Sequence, residues 1–146
     1  MEFKTAAQQA SYERVAGFMK ELFGEQARAV PDSPMFGITN GSALIFVSVH
    51  PWGEDDASVQ ARAFVVRGPE LRPDLLDYLL RENESLRLGG FGIDQDGDIV
   101  FRHTLRATEC TKADLRALVS AVAWTADKYD DEIIAKWGGK RAADRD

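Results

Sequence analysis

The sequence predicts an α+β domain, with three helices and an antiparallel sheet, on three observations. Helical apolar periodicity and strand-like alternation occupy separate stretches of the chain rather than mixing. The strand-like stretches follow one another across short turn signals, as hairpins do. Helices stand at both ends and once between two groups of strands, an α-β-β-β-α-β-β-α order that lacks the regular strand–helix alternation of a parallel sheet.

Each element has its own justification. From Phe3 to Phe23 there are few breakers, and Tyr12, Val15, Met19 and Leu22 recur at steps of three and four, so a first helix with one apolar face is expected, stopping at Gly24. Pro31-Asp32-Ser33-Pro34 is a loop. Met35 to Ile38 reads as a short strand, Asn40-Gly41 as a turn, and Ser42 to His50 as a longer strand. Pro51 to Asp56 breaks the pattern, and Ala57 to Val66 resumes it. Pairing the last two strands so that His50 meets Ser58 sets Val49 against Val59, Val47 against Ala61 and Ile45 against Ala63. One face is then wholly apolar, which fixes the register. On the other face His50/Ser58 and Ser48/Gln60 are polar, whereas Phe46/Arg62 and Leu44/Phe64 turn apolar.

Pro73 and Asp74 open a second helix, whose Leu71, Leu75, Leu76, Leu79 and Leu80 form an apolar stripe ending near Glu82-Asn83. Leu86 to Ile93 and Ile99 to Leu105 form a hairpin. A three-residue loop, Gln95-Asp96-Gly97, pairs Ile93 with Ile99 and Phe91 with Phe101, whereas a two-residue turn would set Phe91 against Arg102. Thr111-x-x-Asp114 approximates a capping box for a last helix that ends at Gly138-Gly139. Residues 1–139 are thus expected to make one domain, and 140–146 a charged, disordered tail.

Composition narrows the function. A chain of 146 residues has room for one ordinary core. Cys110 is the sole cysteine, which excludes an internal disulfide or a multi-cysteine metal site. A net charge of −6, with arginines scattered among acids, argues against nucleic acid as a partner. The longest apolar run, Ala43 to Val47, cannot span a membrane, and the first residues carry no basic and apolar leader, so a cytoplasmic protein is expected.

Candidate chemistry is sparse. Asp94-Gln95-Asp96-Gly97-Asp98 suggests calcium, but the sixth and twelfth positions of that loop are Ile99 and Leu105 where an EF-hand needs Gly and Glu, so a hairpin tip explains the acids and no metal is expected. His50, His103 and Cys110 carry no spacing motif of a nucleophile or a metal site. Gly89-Gly90-Phe91-Gly92 leads into a strand rather than a helix, so it is not a phosphate loop; it marks a bulge or a close approach by another chain. Asp127, Asp130, Asp131 and Glu132 fall opposite Val122, Ala126 and Ile133 and read as a solvated helix face. No catalytic residue and no cofactor is expected.

Four segments together are more specific: Gly41 to Val49, Leu88 to Asp94, Asp96 to Phe101 and Ala126 to Ile133. Their sequences, spacing and order resemble the YbjN-like and CesT-like group, whose fold is that of the type III secretion chaperones. The resemblance covers nearly all of the chain after about residue 35. It implies a commonly dimeric domain that binds peptide segments of other proteins and has no catalytic residues to transfer.

The residues and the resemblance therefore converge on a non-enzymatic binding module for a peptide segment of another protein. Leu44, Phe46, Arg62 and Phe64 on the second sheet face are the candidate surface, with Trp52 as an aromatic anchor and Gly90 permitting close approach. A homodimer is expected, because the Leu75/Leu76/Leu79/Leu80 stripe and the second sheet face offer more apolar surface than one core needs. The alternatives are a structural or regulatory homodimer that uses the whole apolar patch for itself, or a small enzyme built on His50, His103 and Cys110.

Overall fold

The computed structural model describes residues 1–40, 43–142 and 144, with only the backbone of Asn40. Gly41, and with it the expected Asn40-Gly41 turn, lies outside the described residues. The elements are α1 (Ala6–Phe23), β1 (Ala27–Ala29), β2 (Met35–Asn40), β3 (Ala43–Trp52), β4 (Asp56–Val66), α2 (Pro73–Ser85), β5 (Gly90–Ile93), β6 (Ile99–Arg106) and α3 (Lys112–Trp137). The strands form one antiparallel sheet in the order β1-β2-β3-β4-β6-β5. The α+β fold class therefore stands, with one strand more than the sequence suggested. That strand, Ala27-Arg28-Ala29, follows a single 3-10 turn after α1 and has no apolar alternation to announce it.

Local chemistry sets the element boundaries. The Thr5 hydroxyl accepts the Gln8 N–H at 3.0 Å, so α1 starts at Ala6 rather than Phe3. β3 runs through Pro51 to Trp52, where a break was expected. Val49 donates its N–H to Pro34 just beyond the end of β2, so odd-numbered residues of β3 point their backbone toward that side. From Pro51 onward no β2 residue remains there, and the missing proline N–H costs no ladder bond. The register of β3 and β4 is the expected one, with His50 opposite Ser58 and Ile45 opposite Ala63. So is the β5–β6 hairpin, with Phe91 opposite Phe101, and Gly97 at φ 81° supplies its left-handed position.

All three helices contribute to one core. Val15 and Met19 of α1, Leu115, Leu118, Val122 and Ile133 of α3, and Leu75 and Leu79 of α2 join Ile45, Val47, Val49, Val59 and Phe101 of the sheet. On β4 the inward residues Ala57, Ala61 and Ala63 are small and fully buried, which lets α3 lie close over the strand. A complete capping box on Thr111 and Asp114 starts α3. α2 is fastened to α3 by the Tyr129 hydroxyl, which donates to Glu82 at 2.7 Å, and by the Trp137 indole N–H, which donates to Asp74 at 3.1 Å.

Contacts with the domain continue past Gly139. Lys140 pairs through its backbone with Arg67 in both directions, at 2.7 and 2.9 Å, and Ala142 is buried. Arg141 reaches both Asp130 and Asp131. Residues 143, 145 and 146 of the expected tail lie outside the described residues. The same contacts correct the reading of Asp130 as solvated: it is buried at 6% exposure, and desolvation pushes its carboxyl pKa up despite Arg141.

Candidate functional site: the helix-free sheet face

Strand alternation sends every second side chain away from the helices. One row of paired residues crosses the whole sheet on that side: Arg28, Gly37, Phe46, Arg62, Arg102 and Gly90. Five strand spacings of about 4.8 Å make this row about 24 Å long. The neighbouring row holds Thr39 and Leu44 on one side and Phe64, Val100 and Gly92 on the other. Leu44, Phe46 and Phe64 take no part in the helix-covered core and are half-buried.

Phe46 and Phe64 meet edge to face, with ring centroids 6.3 Å apart and planes at 88°. Gly37 lies beneath Phe46, where an added Cβ would stand 3.5 Å from the ring. The Arg62 guanidinium sits over the Phe64 ring, 5.7 Å from its centroid, a cation–π contact. The result is an aromatic platform with a cation at its margin.

Trp52 shares the parity of Phe46 on β3 and projects from the same face at the far end of the strand. It is 58% exposed and paired with Asp56, so it ends a strand rather than riding on the loop expected there.

Gly90 stands apart from the others. A Cβ on it would approach the Asn83 amide at 3.4 Å, so α2 flanks it rather than open space. Asn83 also accepts the Phe91 N–H at 2.7 Å and donates to the Phe91 carbonyl at 3.2 Å. At that residue the outer edge of β5 is already paired. Gly89, at φ 79°, has an internal reason to be glycine: a Cβ there would lie 2.6 Å from the Arg102 carbonyl oxygen.

Sequence reasoning missed Arg102 and Val100, though it marked Gly92 beside them for close approach. They line a depression of about 450 Å³ with Arg62, Ile93 and Asp94. Their place beside Arg62 depends on the pairing of β4 with β6, two strands separated by α2, and no local signal carries it.

The residues considered for catalysis do not assemble. His50 lies on the helix-free face, its Nε2 2.9 Å from the Ser48 hydroxyl. His103 is opposite Ala61 and therefore on the core side of the sheet, where desolvation lowers its pKa. Burial pushes the Cys110 thiol pKa up, against thiolate formation. Asp94, Asp96 and Asp98 do gather, with oxygens mutually within 4.8 Å. They build the hairpin: Asp94 Oδ1 accepts the N–H groups of Asp96 and Asp98, and Asp98 accepts that of Gly68.

Three helices on one face of a six-stranded antiparallel sheet, with an apolar and cationic second face, describe a chaperone-like binding fold, and solved structures agree. A chain of the ExsC–ExsE complex matches with a TM-score of 0.68 and 14% identity, over 86% of this chain and 95% of that one. A chain of the Yersinia pestis type III secretion chaperone SycH with a stable fragment of YscM2 matches at 0.59 and 14%, over 81% and 98%. One from the HopA1–SchA chaperone–effector complex matches at 0.63 and 10%, over 83% and 94%. No curated protein matches the sequence.

The model of the family described as T3SS (YopN, CesT) and YbjN peptide-binding chaperone 1 matches residues 9–145, and the chain belongs to this family, TY-Chap1. It is a chaperone-like peptide-binding module, as the sequence resemblance implied. Among the described residues no helix is long and apolar enough to cross a membrane.

Proposed function

We propose that the chain binds the apolar side of an amphipathic segment of another protein on its helix-free sheet face, in the cytoplasm and without catalysis. The observation that carries this reading is the Phe46–Phe64 pair, outside the core and uncovered by the helices, with Arg62 at its margin. Inner strands have their backbone groups paired within the sheet, so this face offers a partner side chains only, which suits an apolar helix face rather than an added strand. The edge of β5 is occupied at Phe91 by Asn83, which also weighs against strand addition there. An amphipathic helix spanning the row of about 24 Å needs about 16 residues.

A second copy of the chain is proposed on α2. The apolar stripe divides: Leu75 and Leu79 enter the core, whereas Leu71, Leu76 and Leu80 remain exposed, Leu80 at 70%. The protomer exposes 8602 Å², against ~7,500 Å² for a compact chain of this mass. The excess is comparable with the ~800 Å² that each partner gives to a standard interface.

The binding reading is tested with random peptides of about 16 residues displayed on phage, panned against the full chain. The tightest binder is then synthesised with a fluorescent label. The Phe46→Ser/Phe64→Ser variant should remain folded and lose most of the anisotropy response. Unchanged binding by the folded variant would refute the reading.

A further inference from the structure

We propose that Arg62 and Arg102 receive a carboxylate of the docked segment, so that the partner carries an Asp or Glu beside its apolar face. This rests on the helix-free face being the docking surface. The two arginines are direct cross-strand partners on β4 and β6, side by side on that face. Like charges set opposite each other in a sheet are unfavourable unless an anion joins them.

The resident acids answer the pair only in part. Asp94 makes one long ion pair with Arg62, its Oδ2 3.7 Å away and outside hydrogen-bond range. Its Oδ1 is committed to two backbone N–H groups of the hairpin tip. Asp98 faces Arg67 at 3.9 Å and holds the Gly68 N–H. The Arg62 Nε is buried and reaches no acceptor among the described residues. Exposed Arg102 has no acidic partner among them either. Arg102 and the Arg62 Nε are thus cationic donors on this face left without a protein acceptor among the described residues.

The space beside the arginines fits the group. Gly92 and Val100 line the depression of about 450 Å³ together with Arg62 and Arg102. A Cβ at Gly92 would find only the Val100 methyl, at 3.6 Å, so the missing side chain leaves room above the strand. Asp94 and exposed Asp96 also line the depression and oppose a carboxylate near the hairpin tip, so the acid is placed at Arg102, which has no acidic partner of its own among the described residues. Guanidinium groups bind carboxylates through paired N–H donors, a geometry that lysine lacks. Arg62 also touches Phe64, so the acid would sit next to the apolar residue seated on the aromatic pair.

The test uses the labelled peptide selected on the full chain, together with its Glu→Gln or Asp→Asn counterpart. Removing that acid should weaken binding about tenfold, the size of one charge-assisted bond. Arg102→Gln should weaken the acidic peptide equally and leave the neutral one unaffected, with the melting temperature unlowered, because Arg102 has no acidic partner to lose and a like charge opposite it. Arg102→Lys should restore only part of the affinity. Binders that depend on Phe46 and Phe64 but show no acidic preference would overturn this inference and leave the docking surface intact. Selected peptides whose binding ignores the Phe46→Ser/Phe64→Ser substitution would overturn the docking surface and this inference with it.

Discussion

Asn83, in the last turn of α2, pairs with both backbone groups of Phe91, accepting its N–H at 2.7 Å and donating to its carbonyl at 3.2 Å. A side-chain amide here stands where a neighbouring strand would be. Exposed sheet edges invite pairing with other chains, and α2 blunts this one.

Asn83→Ala should therefore cost ~1–2 kcal/mol, the range for losing hydrogen bonds to partly buried groups. Amide exchange at Phe91 should accelerate more than at Phe101 on the inner strand. Asn83→Asp keeps an acceptor for the N–H but loses the donor to the carbonyl, and should fall between. Unchanged exchange at Phe91 in the alanine variant would contradict the capping role.

Leu76 and Leu80 are exposed on α2 while Leu75 and Leu79 are buried. Leu76→Glu/Leu80→Glu should leave the melting temperature of the protomer nearly unchanged and abolish self-association. Sedimentation equilibrium at micromolar concentration should give twice the chain mass for the wild type and one chain mass, 16.2 kDa, for the variant. A wild-type mass of a single chain would remove the dimer.

His103 gives stability a pH dependence of known sign. Desolvation lowers its pKa in the folded state, so between that value and the unfolded one of about 6.5 the unfolded chain binds more protons. The contribution is complete above about pH 6.5 and is lost as the pH falls toward the folded pKa. Urea midpoints at about pH 7.5 and 5.5 should differ less for His103→Gln than for the wild type. An identical difference would show that other groups set the slope.

What the sequence disclosed follows from how local each signal is. The β3–β4 register was legible because one pairing alone places Val47, Val49, Val59 and Ala61 on a single face. Gly97 and the Ile93/Ile99 pair fixed the second hairpin in the same way. β1 was not legible, since Ala27-Arg28-Ala29 is an edge strand whose pairing with β2 requires no apolar alternation. The division of the α2 stripe depends on contact with α3 through Tyr129 and Trp137, which lie more than 40 positions away. In the candidate site, Leu44, Phe46, Arg62 and Phe64 could be grouped from one hairpin. Arg102 could not, because only the long-range β4–β6 pairing brings it beside Arg62. The Lys140–Arg67 bridge escaped for the same reason, in a segment whose charge suggested a frayed end.

The central claim is that a peptide segment lies across the helix-free face. Its most direct test is an NMR titration of the isotope-labelled full chain with the selected peptide of about 16 residues, the length matched to the row at 1.5 Å per residue. The account predicts the largest amide and side-chain shifts at Gly37, Leu44, Phe46, Arg62, Phe64 and Arg102, with those of α1 and α3 nearly still. Shifts confined to the helices, or to Leu76 and Leu80 of α2, would contradict it.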